Sequence, residues 1–325
     1  MKLKNKSILV TGGCGFIGSH LVDRLIKEKP ERIVVIDNLF LGKEENLADA
    51  KKLFDGLKVI IGDAANNTIL RKAIVDNKID IVFDLAAMPL PTSLVEPRRV
   101  IENNNSIALN LLEMYREGLF KELVHYSTSE SCGSAKIVPM DENHPLDPMN
   151  PYGAGKAGID LYIKTYNRVF GLKTKIIRPF NNFGPRQNRD AYAGVIPITI
   201  RKIFEGKSPI LYGDGLQTRD YIFVKDTAEG TVRIAKAKAA EGEIINLARG
   251  KEIQIGYLIE TIKKVMGFKG ETIKEPERVA DVRRHFANNE KLKKITGWVP
   301  QTSFEDGIKE TVEWYKSMLS EKHKF

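Results

Sequence analysis

Two Tyr-x-x-x-Lys pairs, Tyr152/Lys156 and Tyr221/Lys225, occur among the ten tyrosines of the 325-residue chain. An ammonium group beside a phenol favours phenolate and lowers a pKa that is about 10 when unperturbed, which suits the phenol to act as a base near neutral pH. Context separates the pairs. Tyr152 opens the stretch NPYGAGKAGIDLYIKTYNRVF, which reads as a helix, where four residues rise about 6 Å and leave both side chains on one face. Tyr221 lies in DYIFVKD, whose alternation reads as a strand, where four residues span about 13 Å. Only the first pair can couple. A second reactive group, Ser127-Thr128-Ser129-Glu130, ends a predicted strand, where open parallel sheets place their ligands. A hydroxyl here can share the oxygen that Tyr152 deprotonates, and Glu130 can remove a proton alpha to a newly formed carbonyl. The plain alternatives are turn-forming hydroxyls and a surface glutamate at a strand terminus.

A third motif concerns a phosphate. The run Thr11-Gly-Gly-Cys-Gly-Phe-Ile-Gly18 follows the first predicted strand and opens a helix whose apolar positions Phe16, Ile17, Leu21, Leu25 and Ile26 share a face. Glycines at 12, 15 and 18 permit a tight turn, close backbone approach to a pyrophosphate and close helix-to-strand packing, while the helix N-terminus offers N–H groups to the anion. Asp37 ends the second predicted strand, 19 residues past Gly18, where a carboxylate accepts from ribose hydroxyls and repels a 2′-phosphate, so NAD is expected rather than NADP. Asp63, ending the third, is read as an adenine contact or as a helix N-cap.

The elements that must position these groups alternate in type. Short β-branched runs at 7–12, 32–37, 57–63, 79–87, 122–129 and 174–179 alternate with amphipathic helical stretches, which argues α/β architecture with a parallel sheet covered on both faces. The expected fold is a Rossmann-type doubly wound sheet over residues 1–180, followed over 181–325 by a smaller mixed α/β lobe for the substrate. Helices are expected near 194–206, 255–267 and 303–319, and part of the lobe near 220–250, including GEIINLA (242–248), reads as returning to the main sheet.

Composition narrows the function classes. With 42% hydrophobic and 29% charged residues the chain can bury a sizeable core. No apolar run approaches the roughly 18–20 residues of a membrane span, and a cytoplasmic location is expected. Two cysteines, Cys14 and Cys132, and five scattered histidines lack metal-ligand spacing, so no metal is expected. The net charge of +9 comes from lysines spread along the whole chain, unlike the concentrated basic and aromatic patches of nucleic-acid sites. Such a spread reads first as a lysine-rich solvated surface, with an anionic small-molecule substrate as the alternative.

Taken together, TGGCGFIGSH, VIDNL, DLAA, Ser93 with Pro97, YSTSE, PYGAGK, RPFNNFGPRQ, YGDGLQTRDYIFVKD and DVRR resemble the extended short-chain dehydrogenase/reductase family, specifically its NAD-dependent nucleotide-sugar epimerases, dehydratases and decarboxylases. The resemblance implies oxidation of a sugar 4-hydroxyl by NAD, with Tyr152 as base, Lys156 orienting the ribose, and Thr128 binding the reacting oxygen. It places Phe16, Ile17, Asn38, Ala64, Leu85, Ala86, Ala87 and Asn104 at the dinucleotide, and Ser129, Asn181, Arg186, Arg219 and Arg283 at the nucleotide-diphosphate sugar. It also implies a homodimer built on the helices after residues 93 and 152; the apolar positions Ile107, Leu111, Leu112, Tyr162 and Tyr166 fit such a helix-on-helix contact and fit packing within the chain equally well. The Thr-Ser-Glu arrangement resembles the 4,6-dehydratases and glucuronate decarboxylases, so dehydration is the first expectation, followed by 4-epimerisation and decarboxylation. A regulatory protein that binds NAD without catalysis is the rival from another class. The chain departs from the family pattern at Ser131-Cys132-Gly133, where an apolar residue and Tyr-Gly are usual, at Asp84, where His is common, at Gly155, where Ser or Thr is usual, and at Ile107-Ala108.

Overall fold

Each apolar run of the first half forms a strand, and each amphipathic stretch between them forms a covering helix. In chain order these are β1 (Ser7–Thr11), α1 (Phe16–Ile26), β2 (Arg32–Asp37), α2 (Ala48–Leu53), β3 (Leu57–Ile61), α3 (Asn67–Asp76), β4 (Ile81–Asp84), α4 (Leu90–Ser93), α5 (Pro97–Arg116), β5 (Glu122–Tyr126), α6 (Pro151–Phe170) and β6 (Lys175–Pro179). The computed structural model describes residues 2–188, 193–277 and 283–322. The second half contributes β7 (Asn181–Phe183), α7 (Val195–Phe204), β8 (Ile210–Tyr212), β9 (Thr218–Phe223), α8 (Val224–Lys236), β10 (Ile244–Leu247), β11 (Glu252–Gln254), α9 (Ile255–Met266), β12 (Ile273–Glu275), α10 (Glu290–Thr296) and α11 (Phe304–Lys322).

The main sheet has seven parallel strands in the order β10-β6-β5-β4-β1-β2-β3, a doubly wound Rossmann-type arrangement. Alternate residues of each strand face opposite cores. Val10, Val35, Phe83, Val124 and Ile177 meet Leu21 of α1 and Val232 of α8 on one face. Leu9, Val34, Val82, Leu123 and Ile176 meet Leu70, Leu111 and Ile159 of α3, α5 and α6 on the other.

The smaller lobe carries the three-stranded sheet β11-β9-β7 and the pair β12-β8, packed over a third core that includes Phe183, Ile200, Tyr221, Leu258 and Phe304. Its segments are laced by the buried carboxylate of Asp220, which accepts from the backbone N–H groups of Arg249 (3.0 Å), Gly250 (2.9 Å) and Ala287 (3.2 Å). The second half does not stand apart. Helix α8 packs on α1, where Arg24 pairs with Glu229 at 2.5 Å, and β10 pairs in parallel with β6 at the sheet's edge. Among the described residues no helix is long and apolar enough to cross a membrane.

Candidate active site

The carboxyl ends of β1, β2 and β4 border a cavity of about 300 Å³ lined by Gly12, Gly15, Phe16, Ile17, Gly18, Asp37, Asn38, Asp63, Ala64, Leu85, Ala86 and Ala87. All of these were singled out from the sequence. Helix α1 begins after Gly15 with no side-chain cap, so its first N–H groups stay available to an anion. Gly18 admits no side chain: a Cβ there would stand 2.2 Å from the Gly12 carbonyl oxygen. Asp37 accepts from the N–H groups of Cys14 (2.9 Å) and Leu39 (2.8 Å), which orients its carboxylate toward the cavity, while burial raises its pKa. An uncapped helix start, a glycine cradle that a Cβ would fill and a carboxylate at the second strand fit NAD.

The second part of the candidate site is assembled at the end of β5 by the first turn of α6. That helix starts at Pro151, which fits the first helical position because its missing N–H has no partner there, and Asn150 caps it by accepting from Gly153 N–H at 2.8 Å. The turn sits so close to the Thr-Ser-Glu segment that a Cβ on Gly153 would lie 2.5 Å from the Glu130 carbonyl oxygen. Tyr152 hydrogen-bonds through its phenol to Thr128, and Thr128 Oγ1 also accepts from Glu130 N–H at 3.2 Å. One helical turn on, Lys156 is 3% exposed and donates from Nζ to the Tyr126 carbonyl at 2.7 Å. The phenol and the amine therefore converge on the same strand end.

Their electrostatics differ from the expectation. The Tyr152 phenol is pushed up to about 12, by burial first and by the neighbouring Glu130 second, with the Thr128 hydrogen bond pulling the other way. The Lys156 amine is pushed down by burial, against the pull of Asp84 and Asp160. Burial and the neighbouring carboxylate, rather than the lysine, set the direction of the phenol's shift. Glu130 is itself held: its Oε2 accepts from Asn150 Nδ2 at 3.0 Å. Asn150, at once helix cap and holder of this carboxylate, escaped the sequence reading, although Asn before Pro at a helix start was its available signal.

Other anticipated positions fall elsewhere. Asn104 does not reach the dinucleotide cavity; both its amide atoms bind the Met88 backbone, at 2.8 and 3.1 Å. Its neighbour Asn103 lines the cavity instead and donates to Asp63 at 3.2 Å. Arg186, expected at the substrate, borders the dinucleotide cavity and pairs with Asp23 at 2.7 Å. Arg283 is turned to Asp214, at 2.8 and 2.9 Å, on the surface, and Asp281 and Val282 of the DVRR run lie outside the described residues. Arg219 donates to the Thr218 carbonyl at 2.8 Å. Ser129 is buried, with its backbone against His285. Asn181 keeps a buried Nδ2 with no partner. The strand carrying Tyr221 ends at Phe223, so Lys225 sits on α8 rather than on the strand; Tyr221 is buried against Phe183 and Phe304, while Lys225 pairs with Glu310. Ile107, Leu111 and Leu112 are spent on the sheet-side core, and Tyr166 donates to Glu113 at 2.5 Å, whereas Tyr162 is 41% exposed.

Residues 9–311 match the family described as GDP-mannose 4,6 dehydratase. The chain is 35% identical over 317 residues to a putative UDP-glucose 4-epimerase of Methanocaldococcus jannaschii, covering 95% of this chain and 98% of that one. Among solved structures it is similar to a UDP-N-acetylglucosamine 4-epimerase of Methanobrevibacter ruminantium in complex with UDP-N-acetylmuramic acid, with a TM-score of 0.90, 37% identity and coverage of 97% and 99%. It is similar also to the dTDP-glucose 4,6-dehydratase of Streptomyces venezuelae with NAD bound, with a TM-score of 0.88, 30% identity and coverage of 96% and 97%.

Proposed function

The chain belongs to the GDP-mannose 4,6-dehydratase family of NAD-binding nucleotide-sugar epimerases and dehydratases, and from that premise we propose that it is a nucleotide-sugar 4,6-dehydratase. The observation that carries the choice is a carboxylate, Glu130, fixed by Asn150 at 3.0 Å beside the Tyr152 phenol. Thr128 and Tyr152 hold the sugar 4-hydroxyl between them, and the Tyr152 phenolate takes its proton. NAD, held at the glycine loop and Asp37, would supply the redox chemistry at C4. The 4-ketone acidifies the C5–H bond; Glu130 removes that proton and passes it to the C6 hydroxyl, which leaves as water, and the bound dinucleotide would give its hydride back at C6 as a proton is restored to C5, so there is no net oxidation. Burial disfavours the Tyr152 phenolate, so the base depends on positive charge close by, that of Lys156 and of an oxidised nicotinamide ring, to form it. Glycines 12, 15 and 18 with Asp37 bind the dinucleotide. Asn181, with its unpartnered Nδ2, and Arg219 are the diphosphate holders.

Glu130→Gln tests this. The variant is expected to lose 4-keto-6-deoxy product by about 100-fold or more while absorbance near the NADH band still rises with dTDP-glucose, UDP-glucose or GDP-mannose. Unchanged turnover removes Glu130 from the mechanism. The second reading, 4-epimerisation, is favoured by the names of the relatives at 35% and 37% identity; it needs no base at C5, so under it Glu130→Gln keeps interconverting C4 epimers in product NMR. The homodimer is carried with either reading, the exposed Leu109, Leu161 and Tyr162 of α5 and α6 offering the apolar contact; a monomer by ultracentrifugation refutes it.

A further inference from the structure

We infer that Asp84 is the counter-charge of Lys156, a positioning residue that holds the lysine as an ammonium ion and thereby sets the pH range in which Tyr152 works. The inference rests on the reading of Tyr152 and Lys156 given above. Four charged side chains lie buried beneath the end of the sheet, Asp84 and Lys156 at 2% and 3% exposure, Asp160 and Arg178 at 1% each. Burying an ion without a partner is costly, so two charges of each sign should pair off. Asp160 and Arg178 do so directly, Oδ2 to Nη2 at 3.0 Å, with Ser127 Oγ donating to the same carboxylate at 2.8 Å. Lys156 donates to a neutral carbonyl, that of Tyr126.

Asp84 lies at the end of β4 with its side chain on the α6 face of the sheet, in register with His125 of β5. Its carboxylate accepts from Thr11 Oγ1 and is bonded to His125 Nδ1, both at 2.7 Å. His125 Nε2 is buried without a partner. Of the two long basic side chains buried here, Arg178 is engaged by Asp160, which leaves Lys156 as the counterpart of Asp84. The attraction is felt on both sides: Asp84 is the leading carboxylate supporting the lysine charge, and Lys156, after His125, holds the Asp84 carboxyl below the ordinary range. The charged and titratable groups around the lysine are thus Asp84 from β4, His125 from β5, Asp160 and Tyr152 from α6, and Arg178 from β6, with Glu130 facing the phenol.

Asp84→Asn in the full-length, NAD-loaded protein is the test, because an amide keeps an acceptor oxygen and removes only the charge. Removing a negative charge lets both the ammonium and the phenol lose protons more easily. Both limbs of the pH profile for sugar-dependent NAD reduction are therefore expected to move to lower pH by about one unit. A residue that merely filled space would lower the rate and leave the limbs in place, and an active variant with unmoved limbs overturns the inference. Should the single variant fold poorly, Asp84→Asn with Lys156→Met is expected to recover thermal stability over Asp84→Asn alone, since removing both charges leaves no ion unmatched. A double variant no more stable than the single overturns the inference too. A wild-type protein showing no absorbance change with any of the three nucleotide sugars counts against the proposed reaction, and the stability comparison still decides the pairing.

Discussion

On the dinucleotide side, the groups facing the cavity are mostly main-chain N–H groups and small side chains of one strand-turn-helix unit, Thr11 to Gly18, braced by the turn at Leu85 and Ala86, whose N–H groups both donate to Thr11 Oγ1 at 3.0 Å. On the other side, Thr128 and Glu130 from the end of β5 meet Tyr152 from α6, and they are oriented by side-chain hydrogen bonds and by buried charge. The first region is a shape with no room for an added atom. The second is a set of balances, each of which a single functional group can tip. Damage to the first should therefore register as lost binding and stability, and damage to the second as lost turnover in a protein that still folds and still binds.

Tyr152→Phe presses hardest on that contrast. Turnover should fall by about 100- to 10,000-fold, with thermal stability and NAD affinity close to wild type; a parallel loss of NAD affinity by calorimetric titration would show that the two regions are not separable. Gly18→Ala attacks the other side. With its Cβ 2.2 Å from a backbone oxygen, it should cost about 1–3 kcal/mol of stability and weaken NAD at least about tenfold, and an unaltered titration would show that the loop yields easily. Asn150→Ala touches both a helix cap and the holder of the Glu130 carboxylate. It should cost about 1 kcal/mol of stability and reduce dehydration about tenfold while sparing NAD reduction; an equal loss in both half-reactions would mean that Glu130 needs no holder. The smallest effect concerns acid. His20 reaches the Pro185 carbonyl at 3.0 Å, and burial lowers its pKa to about 4. The unfolded chain therefore binds a proton there that the folded one refuses between about pH 6.5 and 4, and stability falls as pH drops through that window. His20→Gln should flatten the slope of unfolding free energy against pH in urea titrations; an unchanged slope would assign the acid sensitivity elsewhere. Asp220, raised by burial to about 7, acts in the opposite sense over a similar range and is unaffected by this variant.

What was readable in the chain follows the same division. The glycine loop, Asp37 and the Tyr152/Lys156 helix are local patterns, and a strand, turn or helix places such residues almost without outside help. The run Asn103-Asn104-Asn105 shows where local reasoning ends. On α5 these three amides point about 100° apart, one to the cavity and Asp63, one to Met88 and one back to the Ile101 carbonyl. Only the packing of α5 on the sheet decides which serves the dinucleotide. The arginines were harder still, since Arg186 and Arg283 found carboxylates at Asp23 and Asp214, 163 and 69 positions away along the chain. The Tyr152 phenol was misjudged for a related reason: spacing reveals that a lysine is near but says nothing of how much water burial has removed.

The last strand to join the sheet also governs how the molecule can be made. Because β10 closes the row beside β6, while Lys175 of β6 is anchored to the Ala235 carbonyl of α8 at 2.5 Å, a nascent chain that has emerged only through residue 180 presents a six-stranded sheet with a bare, apolar margin. Such a margin is a template for pairing with another chain. Ribosomal synthesis must therefore run past Leu247 before that margin is sheltered, and a fragment cut at the apparent boundary between the halves should aggregate rather than survive as an independent dinucleotide-binding unit.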